Sequence, residues 1–256
     1  MMNRVLLILI ILITSCKEKK SFADDIVLNF PKSEKLTFQN FNEGINESGS
    51  GIIYIGKPKN NIKVKYYQSM IPAPPPPPNY PIDSSYLINN KVLDNYFHGK
   101  FKRMKYSNKP ISFDSLSENN IQIVVKPHDT IAKYAYNNET ETIKKYKAFP
   151  VYIKNISGRK LLLTEFKTFP LVILNAKNKW QMIWNDNAYV CGDSRWEYHY
   201  WEFEPNEIMI ISTNYLTGKD NGKFKIWTGN SSSTEFTMKY DKSVINKQRR
   251  IFELDK

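Results

Sequence analysis

Apart from one continuous apolar run near the start, the hydrophobic positions of this chain fall in stretches of four to eight residues, several of them alternating apolar with polar. Beyond Ile121 these stretches follow one another closely, at 121–126, 149–155, 160–166, 171–176, 180–184, 196–203, 208–213, 224–228 and 235–240. Turn chemistry lies between them: Ser157-Gly158, Lys177-Asn178, Asn185-Asp186-Asn187, Pro205-Asn206, the loop Gly218 to Gly222 with Asp220-Asn221-Gly222 as a tight turn, and Gly229-Asn230. Short strands separated by such turns predict an antiparallel sandwich or barrel, and without intervening helices parallel βαβ units are excluded. The fold class expected is therefore all-β, with the sandwich occupying residues 121–241 in the C-terminal half.

The N-terminal half carries the same kind of pattern more thinly. Runs at 26–30, 36–41, 52–55 and 62–67 read as strands, punctuated by Gly44, Gly49-Ser50-Gly51 and Lys59-Asn60-Asn61. Roughly fifty residues of this type make a poor independent domain, so the β-rich region 26–71 is expected to pack against something later in the chain. A Pro-rich connector follows at 72–81, where Pro74 to Pro78 impose polyproline II, a stiff spacer and alternatively a docking peptide. In the mixed region 82–120, the paired apolar positions Leu87-Ile88, Val92-Leu93 and Tyr96-Phe97 predict one helix over 84–97, the only one expected outside the leader. Residues 242–256 read as a basic C-terminal tail.

The exceptional run is Val5 to Ile13, nine apolar residues behind Arg4, followed by Thr14-Ser15-Cys16 and then Lys17-Glu18-Lys19-Lys20. It is too short for a spanning helix, which needs about 20 apolar residues, and has the layout of an export signal. The small residue before cysteine resembles the lipobox of bacterial lipoproteins. That resemblance implies removal of residues 1–15, alkylation of Cys16 by diacylglycerol, and a short lipidated tether at 16–25. Two or three acyl chains give stable attachment where one gives only marginal binding. The compartment so implied is the cell envelope, at the outer membrane on its periplasmic or surface face.

Composition sharpens this picture in two places. With Cys16 lipidated, Cys191 has no partner in the chain, so disulfides contribute nothing to stability and Cys191 reads as a small buried hydrophobe. The net charge of +12 is unevenly spread: residues 57–109 hold ten Lys or Arg against Asp83 and Asp94, most tightly at Lys100, Lys102, Arg103 and Lys105, whereas 180–207 hold six acids against Arg195. A basic patch attracts nucleic acid, anionic lipid or acidic polysaccharide, and export removes nucleic acid from that set. The bland reading is a solvated face.

The succession Phe149-Pro150-Val151-Tyr152-Ile153-Lys154-Asn155, Pro170-Leu171-Val172-Ile173, Trp180, Cys191-Gly192, Glu204-Pro205-Asn206-Glu207 and Gly222-Lys223-Phe224-Lys225 resembles the immunoglobulin-like domains of lipoproteins from Bacteroidetes-type bacteria. The resemblance covers about half the mature chain and implies an immunoglobulin-like sandwich and an exported compartment, with no catalytic residue to transfer. The Cys-Trp-Cys pin of antibody-type domains is missing.

Candidate chemistry concentrates in 180–203, where Trp180, Trp184, Trp196 and Trp201 stand with Tyr189, Tyr198, Tyr200 and Phe203. One reading is a glycan platform built on Trp180, Trp184, Trp196, Tyr198 and Trp201; the other is that these rings fill a core. Strand parity switches between Tyr200 and Trp201, which requires a β-bulge or cover on both faces. Acid pairs such as Glu197 with Glu202, or Asp186 with Asp193, invite a glycan hydrolase, a distant third. His98, His128 and His199 lack metal-ligand spacing, and no phosphate loop or nucleophile elbow is present, so no metal, cofactor or catalytic residue is expected. The partners expected are the membrane, through Cys16, and an envelope protein or polysaccharide, in a binding or structural role without catalysis.

Overall fold

The computed structural model describes residues 20–39, 47–48, 51–67, 92–98, 104–107, 109–137, 140, 142–164, 170–183, 198–248 and 251–254. The Pro-rich connector, Cys16, Cys191, Trp184, Trp196, Lys100, Lys102 and Arg103 lie outside them. The strands are β1 (Val27–Asn29), β2 (Glu47–Ser48), β3 (Ile52–Gly56), β4 (Asn61–Lys63), β5 (Tyr66–Tyr67), β6 (Phe97–His98), β7 (Met104–Ser107), β8 (Ile121–Val125) and β9 (Ile131–Asn137). They continue as β10 (Thr142–Asn155), β11 (Leu161–Thr164), β12 (Leu171–Leu174), β13 (Trp180–Met182), β14 (Tyr198–Phe203), β15 (Ile208–Asn214), β16 (Asp220–Ile226) and β17 (Phe236–Tyr240). A single-turn helix, α1 (Ser243–Asn246), and β18 (Glu253–Leu254) complete the order. The fold is all-β, and antiparallel pairing dominates; β1–β4 and β5–β6 are the parallel strand pairs among the described residues.

β10 is the hub. Its fourteen residues pair with β9 over 142–147 and with β8 over 151–155 on one edge, and with β15 on the other. Pro150 stands inside this run, a position a central strand normally forbids because proline has no N–H to donate. It is tolerated because it falls where one neighbour has ended at Ala132 and the next begins at Val125, with only the Pro150 carbonyl used, by the Lys126 N–H at 3.2 Å.

Both faces of this central sheet are covered, which is why 149–153 and 208–211 read as unbroken apolar runs. Phe149, Val151, Ile153, Met209 and Ile211 enter one core, whereas Ala148, Tyr152, Ile208 and Ile210 enter the other. The first core is closed by two smaller sheets, β11-β14-β7 and β17-β16-β12-β13-β18. The second is closed by the N-terminal region: Ala23, Ile26, Ile62, Val64, Tyr66 and Phe97 pack there. β3 belongs to the central sheet itself, paired with β15, and a bulge opposite Ile210/Ile211 lets Ile52 and Ile55 serve one core while Ile53 serves the other. The N-terminal region is thus a layer of the same body, as its small size required.

Several local expectations are corrected. Of the helix expected over 84–97, residues 92–93 are helical and 94–96 form a turn, residues 84–91 lie outside the described residues, and Phe97 departs from it into β6 beside Tyr66, because its ring is needed in the second core. The run 36–41 contributes a bridge at Thr37 to Tyr146, and 62–67 divides into β4 and β5. Asp220-Asn221-Gly222 is strand, paired with Tyr240, Lys239 and Met238, and the turn lies before it at Gly218 (φ +147°). Residues 242–254 hold α1 and β18, which pairs with β13; Gln181 donates to Gln248 at 3.0 Å and Asn175 to Glu253 at 2.9 Å, so this segment is bound to the sheet. The turns at Asn178 and Asn206 do form, both residues taking the left-handed conformation that asparagine tolerates.

Candidate functional site

The aromatic stretch is placed by strand pairing. β14 runs without a register break from Tyr198 to Phe203 between β11 and β7, so no bulge separates Tyr200 from Trp201 in the described part. Trp201 and Phe203 point into the first core, Trp201 1% exposed and edge-on to Tyr67 at 6.0 Å. Trp180, 8% exposed, lies in the other small sheet, with Lys225 Nζ 4.6 Å above its ring. The two rings thus belong to different sheets. Tyr198 belongs to β14 by its backbone, and Trp184 and Trp196 lie outside the described residues.

The opposite face of β14 presents Glu202. Its carboxylate meets Lys105 Nζ at 2.8 Å and Lys160 Nζ at 3.2 Å, and Lys160 also reaches Glu204 at 3.4 Å. The hydrogen bond from Lys105, helped by Lys160, holds Glu202 below the usual carboxylate range. A carboxylate held in its charged form is a poor proton donor, the reverse of what a glycosidase acid requires. Glu197, Asp186 and Asp193 lie outside the described residues. Lys105, the described member of the basic cluster, is exposed but already paired with Glu202.

A second polar cluster lies where the N-terminal layer meets the central sheet. Tyr134 donates its hydroxyl to Glu34 at 2.7 Å, Lys145 donates to the other Glu34 oxygen at 2.7 Å, and Lys145 also reaches the Tyr96 hydroxyl at 3.2 Å. Burial works to raise the Glu34 pKa, but the bonds from Lys145 and Tyr134 outweigh it and leave the carboxyl below its ordinary value. Burial first, and then the bond to Glu34, push the Tyr134 phenol up. Every polar atom of this cluster has a partner within it, so its role is to clamp two layers.

A shallow depression of about 280 Å³ is lined by Phe113, Asp114, Leu116, Leu163, Pro170 and Gly229 among others. Asp114 is consumed structurally: it pairs with Arg159 at 2.6 Å and accepts the Leu162 N–H at 2.7 Å. His98 stacks on Tyr67 with centroids 4.3 Å apart, and burial lowers its pKa. Among the described residues no three His, Cys, Asp or Glu side chains converge as metal ligands, and no helix is long and apolar enough to cross a membrane.

One feature escaped the sequence reading. Residues 21–25 were expected as free tether, yet Ala23 is fully buried, and Lys126 donates to its carbonyl at 2.8 Å while pairing with Asp24 at 3.4 Å. Ser21 and Asp24 close the turn, the Ser21 N–H donating to the Asp24 carboxylate at 2.6 Å. Phe22, Ala23 and Ile26 were the available signal, since all three pack in the second core. The segment 21–26 is therefore fastened to the body. No family model, no curated protein and no solved structure matches this chain.

Proposed function

We propose that this chain is a lipid-anchored cell-envelope protein with a non-catalytic binding or structural role. The observation that carries the reading is the sequence Arg4, Val5 to Ile13, Ser15-Cys16: a charged start, an apolar run too short to span, and a small residue before a cysteine. The body behind it supports the reading in a different way. Its prominent described carboxylates, Glu34, Asp114 and Glu202, are each tied to a cation and held charged, the arrangement of a scaffold. Replacing Cys16 with Ser moves the protein from the membrane to the soluble fraction on this reading. Continued sedimentation of C16S with membranes refutes it.

Glycan binding is the second reading, and the composition of 184–198 is what favours it: Trp184, Tyr189, Trp196 and Tyr198 fall within fifteen residues. With Trp180 and Trp201 committed to cores, a sugar platform would rest on those four. Loss of polysaccharide retention in W184A/W196A at unchanged stability supports it, and retention by neither the parent nor the variant removes it.

A further inference from the structure

The anchor and the docked segment together fix which end of the molecule meets the bilayer. Cys16 and Ser21 are five residues apart in sequence, a reach of at most about 18 Å when fully extended. A folded body of roughly 240 residues has a radius of gyration of about 18 Å, so its diameter exceeds that reach more than twofold. Because Ala23 is buried and Lys126 grips its carbonyl, slack cannot be drawn from 21–26. The body is thus too large and too closely leashed to present an arbitrary face.

The face it presents follows from topology. β1 and β4 are parallel, with Val27 opposite Asn61 and the Val27 N–H donating to Asn60 at 2.7 Å. Their lead-ins, 20–26 and 57–60, therefore emerge at the same end. That end carries Lys20, Lys57 and Lys59, all exposed, and Val27 at 53% exposure. Lys20 is paired with Asp25 at 2.6 Å, whereas Lys57 and Lys59 have no carboxylate at ion-pair distance among the described residues. Lysines beside a membrane gain attraction from anionic headgroups, by about 1 kcal/mol each in the general case.

We infer that the end formed by residues 20–27 and the turn 57–60 rests on anionic lipid headgroups, with Lys57 and Lys59 as the contacting cations, so that β17, in the layer that closes the opposite face of the central sheet, lies farther from the bilayer. This rests on the proposed lipidation of Cys16. The test uses the full lipidated protein in a C191S or C191A background that keeps the parent denaturation midpoint, with one fluorophore at N60C or at T237C; both positions are exposed. The protein is reconstituted on phosphatidylglycerol–phosphatidylcholine vesicles carrying a headgroup quencher. The expected result is quenching at position 60 at least about threefold stronger than at 237, reduced by K57E/K59E and by salt that screens surface charge. Equal quenching at the two positions while the protein floats with the vesicles overturns the orientation and leaves the anchor standing. Quenching unchanged by K57E/K59E overturns the lysine contact. Failure to float, with no lipid mass on Cys16, defeats the anchor and the orientation together.

Discussion

The side-chain amide of Asn155 donates to the Phe203 carbonyl at 2.8 Å from a position with no exposed surface, joining the end of β10 to the end of β14 across two layers. The same amide reaches the Arg159 carbonyl at 3.0 Å, and its oxygen accepts the Ser157 N–H at 2.9 Å. One residue thus satisfies the turn after β10 and fastens a neighbouring sheet. Asn155→Ala leaves the buried Phe203 carbonyl without this donor and the Arg159 carbonyl with the Ser157 hydroxyl alone, and is expected to cost about 2–4 kcal/mol. Urea unfolding checks it: the midpoint falls at constant slope.

Glu34 makes stability sensitive to acid. Its folded pKa is lowered relative to the unfolded chain, so its contribution is fully present above the unfolded value, near 4.5, and is lost as pH falls through the folded value. The parent Tm should therefore drop between pH 5 and about 3 more steeply than that of Glu34→Gln, which has no charge to lose. Parallel slopes for the two proteins would count against the clamp.

Glycine tolerance separates two turns. A Cβ on Gly218 would stand 2.0 Å from the Tyr240 carbonyl carbon at a φ of +147°, whereas a Cβ on Gly158 meets nothing within 4 Å. Gly218→Ala is expected to lose roughly 3 kcal/mol or more, and Gly158→Ala to change stability by less than about 1 kcal/mol. Thermal melts of the pair compare them directly.

Trp201 and Trp180 differ in what they hold. Trp201→Ala empties a fully packed core position and is expected to cost about 3–5 kcal/mol. Lys225→Ala removes the cation above Trp180 and should cost only about 0.5–1 kcal/mol. Similar losses in both would contradict the burial assigned to Trp201.

Much of this fold was legible because its physics is local. Alternation and turn chemistry located β8, β11, β12, β13 and β15, and asparagine at 178 and 206 marked turns whose left-handed conformation it tolerates. What was hidden depends on partners distant in sequence. β9 escaped because Ala132 and Ala135 blunt its apolar pattern, although both are buried. Asp220-Asn221-Gly222 has turn composition but is held extended by β17, and Gly222 is required by the close approach of Phe224 and Tyr240. The docking of Ala23 through Lys126 joins residues 103 apart, a contact no window could reveal. Of the candidate aromatic residues, the burial of Trp180 and Trp201 became evident only with the layers in place.

Lipidation at Cys16 would be read most directly from the mass of the mature N-terminus. Intact-mass spectrometry of the protein recovered from the membrane fraction should find a chain of 241 residues beginning at Cys16 and carrying the mass of a diacylglyceryl group, with or without a further acyl chain. A membrane-derived chain that retains Met1 to Ser15, or one that begins elsewhere with Cys16 unmodified, would contradict it.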